Sequence, residues 1–174
     1  SYIEQKFPWD ERGDVLVFLP GINEICALQA ALAERAQQSS SGRWVVLPLH
    51  STLAPSEQMR VFQSPPRGVT KVVVATNIAE TSITIDDVSY VIDTGRLKEN
   101  RFDPQRKLES LVEDFGSVAN LKQRRGRAGR VRRGVCIHLV TSHRFAQLPA
   151  QQTPELQRTP LERVVLRAKK LYTH

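Results

Sequence analysis

Five short apolar runs separated by helical patterns constrain the fold of this chain more than any other feature. The runs are DVLVFL (14–19), WVVLPLH (44–50), TKVVVAT (70–76), VSYVIDT (88–94) and GVCIHLV (134–140). Their continuous apolar character and branched side chains are typical of strands buried on both faces. A helical pattern follows the first run at 22–37, and Pro55 suits the first turn of another helix. Strands that alternate with helices predict an α/β fold with a mainly parallel sheet and helices on both faces.

The loops that follow the strands are the first place to look for a site. In parallel α/β sheets, ligands gather at the carboxyl ends of the strands, where loops lead into helices. PGINE, STLAP and TNIAETSIT follow the first three runs. The polar segment 96–111 fits a protruding β-hairpin better than the core.

Charge and composition limit the class of partner. The chain has 174 residues, of which 40% are hydrophobic, a composition typical of globular proteins. Its net charge of +7 favours a polyanionic partner such as RNA or DNA. No long apolar run or leader pattern is present, so we expect an intracellular protein, cytoplasmic or nuclear, without a membrane partner. The two cysteines and four histidines show no metal-ligand spacing, so no metal site is predicted within this chain.

The octamer QRRGRAGR (123–130) is the strongest chemical signal. With Ser117 as its N-cap, a helix through this octamer would place Gln123, Arg127 and Arg130 on one face. Gly126 and Gly129 would cost such a helix about 1 kcal/mol each, which a need for close approach would explain. Two guanidinium groups can clamp a triphosphate, and a glutamine beside them can orient the attacking water. A basic localisation or heparin-like patch is the alternative that spacing alone leaves open.

A second polar cluster follows the third apolar run. VATNIAETSITIDDV (74–88) carries side chains that can bond phosphate oxygens and ribose without reading base identity. They are Thr76, Asn77, Thr81, Ser82 and Thr84. Ordinary helix capping is the alternative, although a cap uses one hydroxyl and five polar side chains are present.

Together these segments resemble the DEAH-box (DEAH/RHA, DExH) RNA helicases of superfamily 2. TNIAETSITI and QRRGRAGR resemble helicase motifs V and VI, and LVFLPGINEI resembles motif IV. LPLHSTLAPSEQMRVF resembles the segment that follows motif IV, and TGRLKENRFDP and PELQRTPLE are similar to the RNA helicase A branch. The resemblance, which covers about residues 14–171, implies the second, C-terminal RecA-like domain of a two-lobed motor with a three-layer fold. It divides the chain into a linker from a preceding lobe (1–13), the RecA-like domain (14–150), and a connecting helix or the start of a winged-helix domain (151–174).

The resemblance also implies roles for single residues. On the nucleotide side, Arg127 and Arg130 would be arginine fingers, with Gln123 near the γ-phosphate and the attacking water. Ser82 would sense the γ-phosphate, Asp86 would face the nucleotide or its ribose, and Phe62 would stack on the base, for which a core position is the alternative. On the RNA side, contacts would come from the backbone near Gly21 and from Ser51, Thr76, Asn77 and Thr84. Lys98 would add a phosphate contact or a wedge, with a solvated lysine as the alternative. Asp87 stands where many relatives carry glycine.

Two nucleotide-binding motifs are absent from the sequence. Neither a GxxxxGK[ST] phosphate loop nor a DEAH tetrad occurs in the 174 residues. The lysine and the Mg²⁺ ligands that hold ATP are therefore expected from the N-terminal RecA-like lobe of the same chain, and the fragment alone should be inactive. The expected partner is RNA, held mainly through the sugar-phosphate backbone of a single strand. The rival prediction is a non-catalytic RNA-binding or scaffolding module with a helicase fold.

Overall fold

Five parallel strands form the central sheet of the structure, a computed structural model that describes residues 13–38, 43–81, 83, 85–103, 105, 108–131, 133–154 and 161–172. Seven strands are described in all: β1 (Asp14–Phe18), β2 (Arg43–Leu49), β3 (Val69–Ala75), β4 (Val88–Asp93), β5 (Arg96–Asp103), β6 (Leu108–Phe115) and β7 (Val135–His138). The order in the central sheet is β2-β3-β1-β4-β7, and each neighbouring pair is parallel. The predicted mainly parallel sheet is confirmed.

Helices cover both faces of this sheet. The helices that the structure describes are α1 (Ile22–Gln38), α2 (Pro55–Gln58), a 3₁₀ turn (Met59–Phe62), α3 (Ile78–Thr81), α4 (Val118–Arg125), α5 (Ser142–Ala146) and α6 (Leu161–Tyr172). Successive β1 residues alternate between two hydrophobic clusters, because strand side chains point to opposite faces. Leu16 packs in a cluster with Val61 and Ala79 from the 3₁₀ turn and α3. Val17 packs in the other cluster with Ile25 of α1.

A separate two-stranded sheet interrupts the chain between β4 and α4. Strands β5 and β6 pair antiparallel in a register that runs from Arg96 opposite Phe115 to Asp103 opposite Leu108. This hairpin carries ion pairs such as Arg101 with Asp114, while Leu108 and Leu111 lie exposed on it. The predicted hairpin is confirmed, and it extends beyond the predicted segment 96–111.

Helix α4 begins as predicted but ends early. The Ser117 side chain accepts from the Asn120 backbone N–H at 3.3 Å, and the Asn120 side chain accepts from the Ser117 N–H at 2.9 Å, which closes a capping box. The helix stops at Arg125, with Gly126 as its C-cap, and Gly129 has a φ of 79°. That angle belongs to the left-handed region and cannot continue an α-helix. The prediction that one helix carries residues 123–130 on a shared face is therefore wrong.

The domain boundaries stay predictions. The linker segment lies almost entirely outside the described residues, and helix α6 falls within the predicted C-terminal segment 151–174. Among the helices that the structure describes, none is both long and apolar enough to cross a membrane.

Candidate nucleotide and RNA site

The carboxyl ends of β2, β3, β1 and β4 lie side by side along one edge of the sheet. Four of the predicted RNA-contacting residues follow these ends directly: Gly21, Ser51, Thr76 and Asn77. The Thr76 N–H donates to the Leu49 carbonyl at 3.1 Å, which ties the loop after β3 to the end of β2. Ser51 and Asn77 are exposed there. The fold thus brings residues from three separate loops to one solvent-facing edge.

Lys98 of β5 reaches the same edge through α1. Its Nζ lies 3.0 and 3.1 Å from the two carboxylate oxygens of Glu24. A Cβ at position 21 would lie 2.7 Å from Lys98 Nζ, so Gly21 leaves the room that the ammonium group occupies. The hydrogen bonds from Lys98 lower the pKa of Glu24. Lys98 is therefore held in an ion pair at the candidate RNA edge.

The segment 126–131, here called the arginine loop, runs from the end of α4 towards the opposite edge of the sheet. The Gly129 N–H donates to the carbonyl of Val88, the first residue of β4, at 3.1 Å. The Arg127 N–H donates to the Arg124 carbonyl at 3.0 Å. These bonds fix the loop near the amino end of β4.

The arginine loop holds two guanidinium groups near each other. The Arg127 guanidinium is half-buried and donates to the main-chain carbonyls of Ile83, at 3.4 Å, and of Glu80. Burial lowers the pKa of Arg127, the nearby positive charge of Arg130 lowers it further, and Glu80 acts in the opposite direction. Arg130 is exposed, as is Gln123 in the last turn of α4. Although the helix ends at Arg125, Arg130 still lies near enough for its charge to act on Arg127.

A buried ionic network joins the end of α4, where the arginine loop begins, to α3 and β4. Arg124 is 0% exposed; its Nε donates to Glu80 at 3.0 Å and its Nη1 to Asp93 at 2.8 Å. Asn120 donates to the other Glu80 oxygen at 2.6 Å, and the Arg124 guanidinium lies 5.0 Å from the centroid of the Phe18 ring. No role was predicted for Arg124 from the sequence. The available signal was the acidic residue within each of the segments TNIAETSIT and VSYVIDT.

Asp93 also belongs to a thiol–imidazole–carboxylate series. His138 Nδ1 lies 3.0 Å from Asp93 Oδ2, and His138 Nε2 lies 3.5 Å from Cys136 Sγ. Burial and the Asp93 charge raise the pKa of the Cys136 thiol to about 11. A thiol with that pKa is protonated at neutral pH and is a poor nucleophile. The series is therefore part of the packed interior rather than a nucleophilic centre.

The remaining nucleotide-side predictions fall in two groups. Phe62 ends the 3₁₀ turn with 45% of its surface exposed, whereas Val61 beside it is fully buried. The turn therefore uses Val61, not Phe62, to contact the core. Asp86 is exposed in the turn that precedes β4. Ser82 lies outside the described residues, as does Thr84 of the RNA-side predictions.

The predicted residues thus divide between opposite edges of the sheet. Gly21, Ser51, Thr76 and Asn77 follow strands, whereas Asp86 precedes β4 and the arginine loop bonds to its first residue. Asp86 and the arginine loop therefore lie away from the loops after the strands, which were the first place to look for a site. Within the described part of the chain, no group of three or more histidine, cysteine, aspartate or glutamate side chains is arranged to hold a metal ion.

Comparison with known proteins shows the family to which the chain belongs. The family described as helicase conserved C-terminal domain matches residues 3–132. The chain is 55% identical to human DHX57 over 160 residues, which are 90% of this chain and 12% of that protein. It is 54% identical over 163 residues to the DExH-box ATP-dependent RNA helicase DExH4 of Arabidopsis thaliana, covering 92% of this chain and 11% of that one. The chain thus spans about an eighth of the length of these curated relatives.

A solved structure shares the fold. The crystal structure of the E. coli DExH-box NTPase HrpB superimposes with a TM-score of 0.80 and 36% identity, covering 92% of this chain and 19% of that chain. This match confirms the predicted RecA-like α/β architecture. The family match, the relatives and the shared fold show that the chain belongs to the helicase conserved C-terminal domain family, in the group of DExH and DEAH-box RNA helicases.

Proposed function

We propose that this chain is the C-terminal motor lobe of an ATP-dependent RNA helicase, and that it supplies arginine fingers for ATP hydrolysis. The observation that carries the proposal is the arginine pair. Arg127 and Arg130 lie close enough for one charge to lower the pKa of the other, and the bonds of Arg127 go to main-chain carbonyls. Like charges held together on an accessible loop gain most when an anion binds between them.

The pair suits a triphosphate that another lobe holds. A transferring γ-phosphoryl group spreads negative charge over its equatorial oxygens, and guanidinium donors stabilise that charge. Arg130 is exposed and would reach outward, while half-buried Arg127 would approach from the domain surface. Gln123 would orient the attacking water, Ser82 would contact the γ-phosphate, and Asp86 would face the ribose. The phosphate loop and the Mg²⁺ ligands would come from the preceding lobe, so the isolated chain should not hydrolyse ATP.

RNA would bind at the other edge of the sheet. The relatives are named RNA helicases, and one of them, bovine DHX36, is named a DNA/RNA helicase. Backbone, hydroxyl and amide groups at Gly21, Ser51, Thr76 and Asn77 suit phosphate and sugar contacts, which carry no sequence information. Thr84 would extend this row, and the Lys98 ammonium would exchange Glu24 for a phosphate. Such a site would grip a single strand independently of its sequence.

Because the nucleotide and the RNA would bind at separate edges of the sheet, closure of the two lobes would couple their binding. Each ligand would contact both lobes, so each would favour the closed arrangement, and linkage makes that effect reciprocal. Loss of the γ-phosphate would weaken the contact with Arg127 and Arg130 and let the lobes separate. The residues after β1, β2 and β3 would then shift their grip along the strand.

The first test is the Arg130→Ala variant of the full-length protein. An arginine finger contributes on the order of 10³ to 10⁵ in rate, so RNA-stimulated ATP turnover should fall to background. Arg133→Ala removes an exposed arginine just beyond the arginine loop and should leave turnover near wild type. Circular dichroism would verify that both variants are folded.

Turnover of Arg130→Ala within a few-fold of wild type would contradict the proposal. Full-length protein that binds RNA but shows no ATPase, even in the wild-type form, would instead favour the non-catalytic scaffold.

A further inference from the structure

A lysine side chain is buried near the amino ends of β1 and β3. Lys71 of β3 is 3% exposed, although lysine is among the residues least often buried. Its side chain and that of Asp14 on the neighbouring strand β1 form an ion pair at 2.9 Å. Burial raises the pKa of Asp14, and the hydrogen bond and charge of Lys71 oppose that rise. Such a pair requires well-placed partners, because two charges have been removed from water.

The other two bonds of Lys71 go to the 3₁₀ turn. Nζ donates to the Val61 carbonyl at 2.8 Å and to the Gln63 carbonyl at 3.1 Å. An ammonium group has three N–H donors; these two carbonyls take two of them, and Asp14 adds its charge at 2.9 Å. The lysine therefore joins β1, β3 and the turn in a single contact.

The two carbonyls belong to the residues on either side of Phe62. Val61 fixes the turn from one side by its buried side chain, and the Gln63 N–H closes the turn on the Arg60 carbonyl at 3.2 Å. No side chain caps the start of this turn, which is only four residues long. Short 3₁₀ turns have poor hydrogen-bond geometry of their own. The Lys71 ammonium is thus a main external restraint on the backbone that presents the exposed ring.

We propose that Lys71 is the positioning residue for Phe62, and that it fixes the ring as a stacking platform for the base of the bound nucleotide. This inference rests on the proposed function, a lobe that binds a nucleotide, and on the role that the family resemblance implies for Phe62, stacking on the base. An aromatic ring gains affinity by stacking on any base, since every base has a π-face. The gain is largest when the ring is already held in its bound orientation, because less freedom is then lost on binding. Lys71 would supply that order without touching the ligand.

The test uses full-length protein with Lys71→Met, Phe62→Ala and the double variant. Methionine keeps the unbranched stem and removes the ammonium group. We expect Phe62→Ala to raise the KM for ATP about 5-fold or more, which corresponds to the lower range of base–aromatic stacking. Lys71→Met should raise KM by a similar factor with kcat within about two-fold of wild type. In the Phe62→Ala background, Lys71→Met should add no further rise, because the ring is already gone.

A second measurement separates positioning from general loosening of the fold. Inorganic tripolyphosphate has no base, so its inhibition constant should be the same in Lys71→Met and wild type. Lys170→Met removes the same charge from exposed helix α6 and should change neither constant. If Lys71→Met fails to fold, Asp14→Asn weakens the same contact while keeping the size of the side chain. It should then raise KM in the same direction by a smaller factor.

The outcomes distinguish the two claims. An unchanged KM in Phe62→Ala would remove Phe62 from the base site, and the inference about Lys71 would be lost with it. A raised KM in Phe62→Ala with an unchanged KM in folded Lys71→Met would overturn the inference alone. Equal loss of ATP and tripolyphosphate affinity, or an undiminished effect of Lys71→Met in the Phe62→Ala background, would also overturn it.

Discussion

Arg124 and Arg127 lie three positions apart, yet their surroundings suit them to different work. Arg124 is fully buried and bonded to two carboxylates, those of Glu80 and Asp93, so its charge is already balanced inside the protein. Arg127 is half-buried and donates to main-chain carbonyls, next to the positive charge of Arg130. A buried charge with its partners in place cannot be removed without leaving those partners unpaired, whereas an unbalanced charge is available to a ligand. Within one octamer, burial and pairing thus distinguish an arginine with a structural role, Arg124, from one available to a ligand, Arg127.

This difference predicts opposite effects of alanine at the two positions. Arg124→Ala would leave Glu80 and Asp93 buried without their partner, so the free energy of unfolding should fall by about 3–5 kcal/mol. Arg127→Ala removes a like-charge repulsion together with two hydrogen bonds to main-chain carbonyls, so it should cost clearly less stability than Arg124→Ala while ATP hydrolysis is lost. Urea denaturation with the ATPase assay would compare the two. Equal destabilisation by both variants would contradict the division of roles.

The two cysteines should differ in reactivity. Cys26 is exposed, whereas Cys136 is half-buried with a pKa of about 11. Because the thiolate is the reactive form, iodoacetamide at pH 7.5 should alkylate Cys26 well before Cys136. Peptide mass spectrometry over a time course would measure both rates in the same sample. Faster labelling of Cys136 would show that His138 activates the thiol after all.

Elements that depend on local pattern could be predicted from the sequence, and those that depend on distant partners could not. The strand at 88–94 and the cap at Ser117 follow from apolar runs and capping chemistry, and both are present. The end of α4 was missed because a helical spacing of arginines was given more weight than two glycines. The burial of Arg124 was missed because Glu80 and Asp93 meet it only through the folded sheet. Glycine placement, rather than side-chain periodicity, decides the conformation of the arginine loop.

A substitution at Gly134, which is not among the proposed ligand contacts, should therefore alter the arginine loop. A Cβ at Gly134 would lie 2.4 Å from the Gly129 nitrogen and 2.7 Å from its Cα, so Gly134→Ala must displace the loop backbone. We expect a loss of RNA-stimulated ATPase of at least about ten-fold, since small displacements of catalytic groups are costly. Gly68→Ala is the control: Gly68 has a φ of 77°, but nothing lies within 4 Å of the added carbon. Its cost should be limited to backbone strain, and normal ATPase in Gly134→Ala would contradict this account of the loop.

At the scale of the whole molecule, the sheet keeps two sets of residues apart. The candidate RNA residues follow β1, β2 and β3, whereas the arginine loop bonds to the first residue of β4. Helix α4 spans the distance between these edges, and the network of Glu80, Asp93 and Arg124 anchors it. A lobe built this way could bind RNA at one edge and a nucleotide held by its neighbour at the other. Coupling between them then depends on closure of the two lobes rather than on a shared pocket.

The most direct test of this account is single-turnover ATP hydrolysis by full-length protein saturated with RNA, with Arg127 and Arg130 both changed to lysine. Lysine keeps the charge but loses the planar fork that pairs with phosphate oxygens, so the rate of the chemical step should fall by about 10² or more. Arg133→Lys should leave that rate unchanged. If the double lysine variant hydrolyses ATP within about three-fold of wild type, the two arginines serve only as positive charge, and the arginine-finger claim is contradicted.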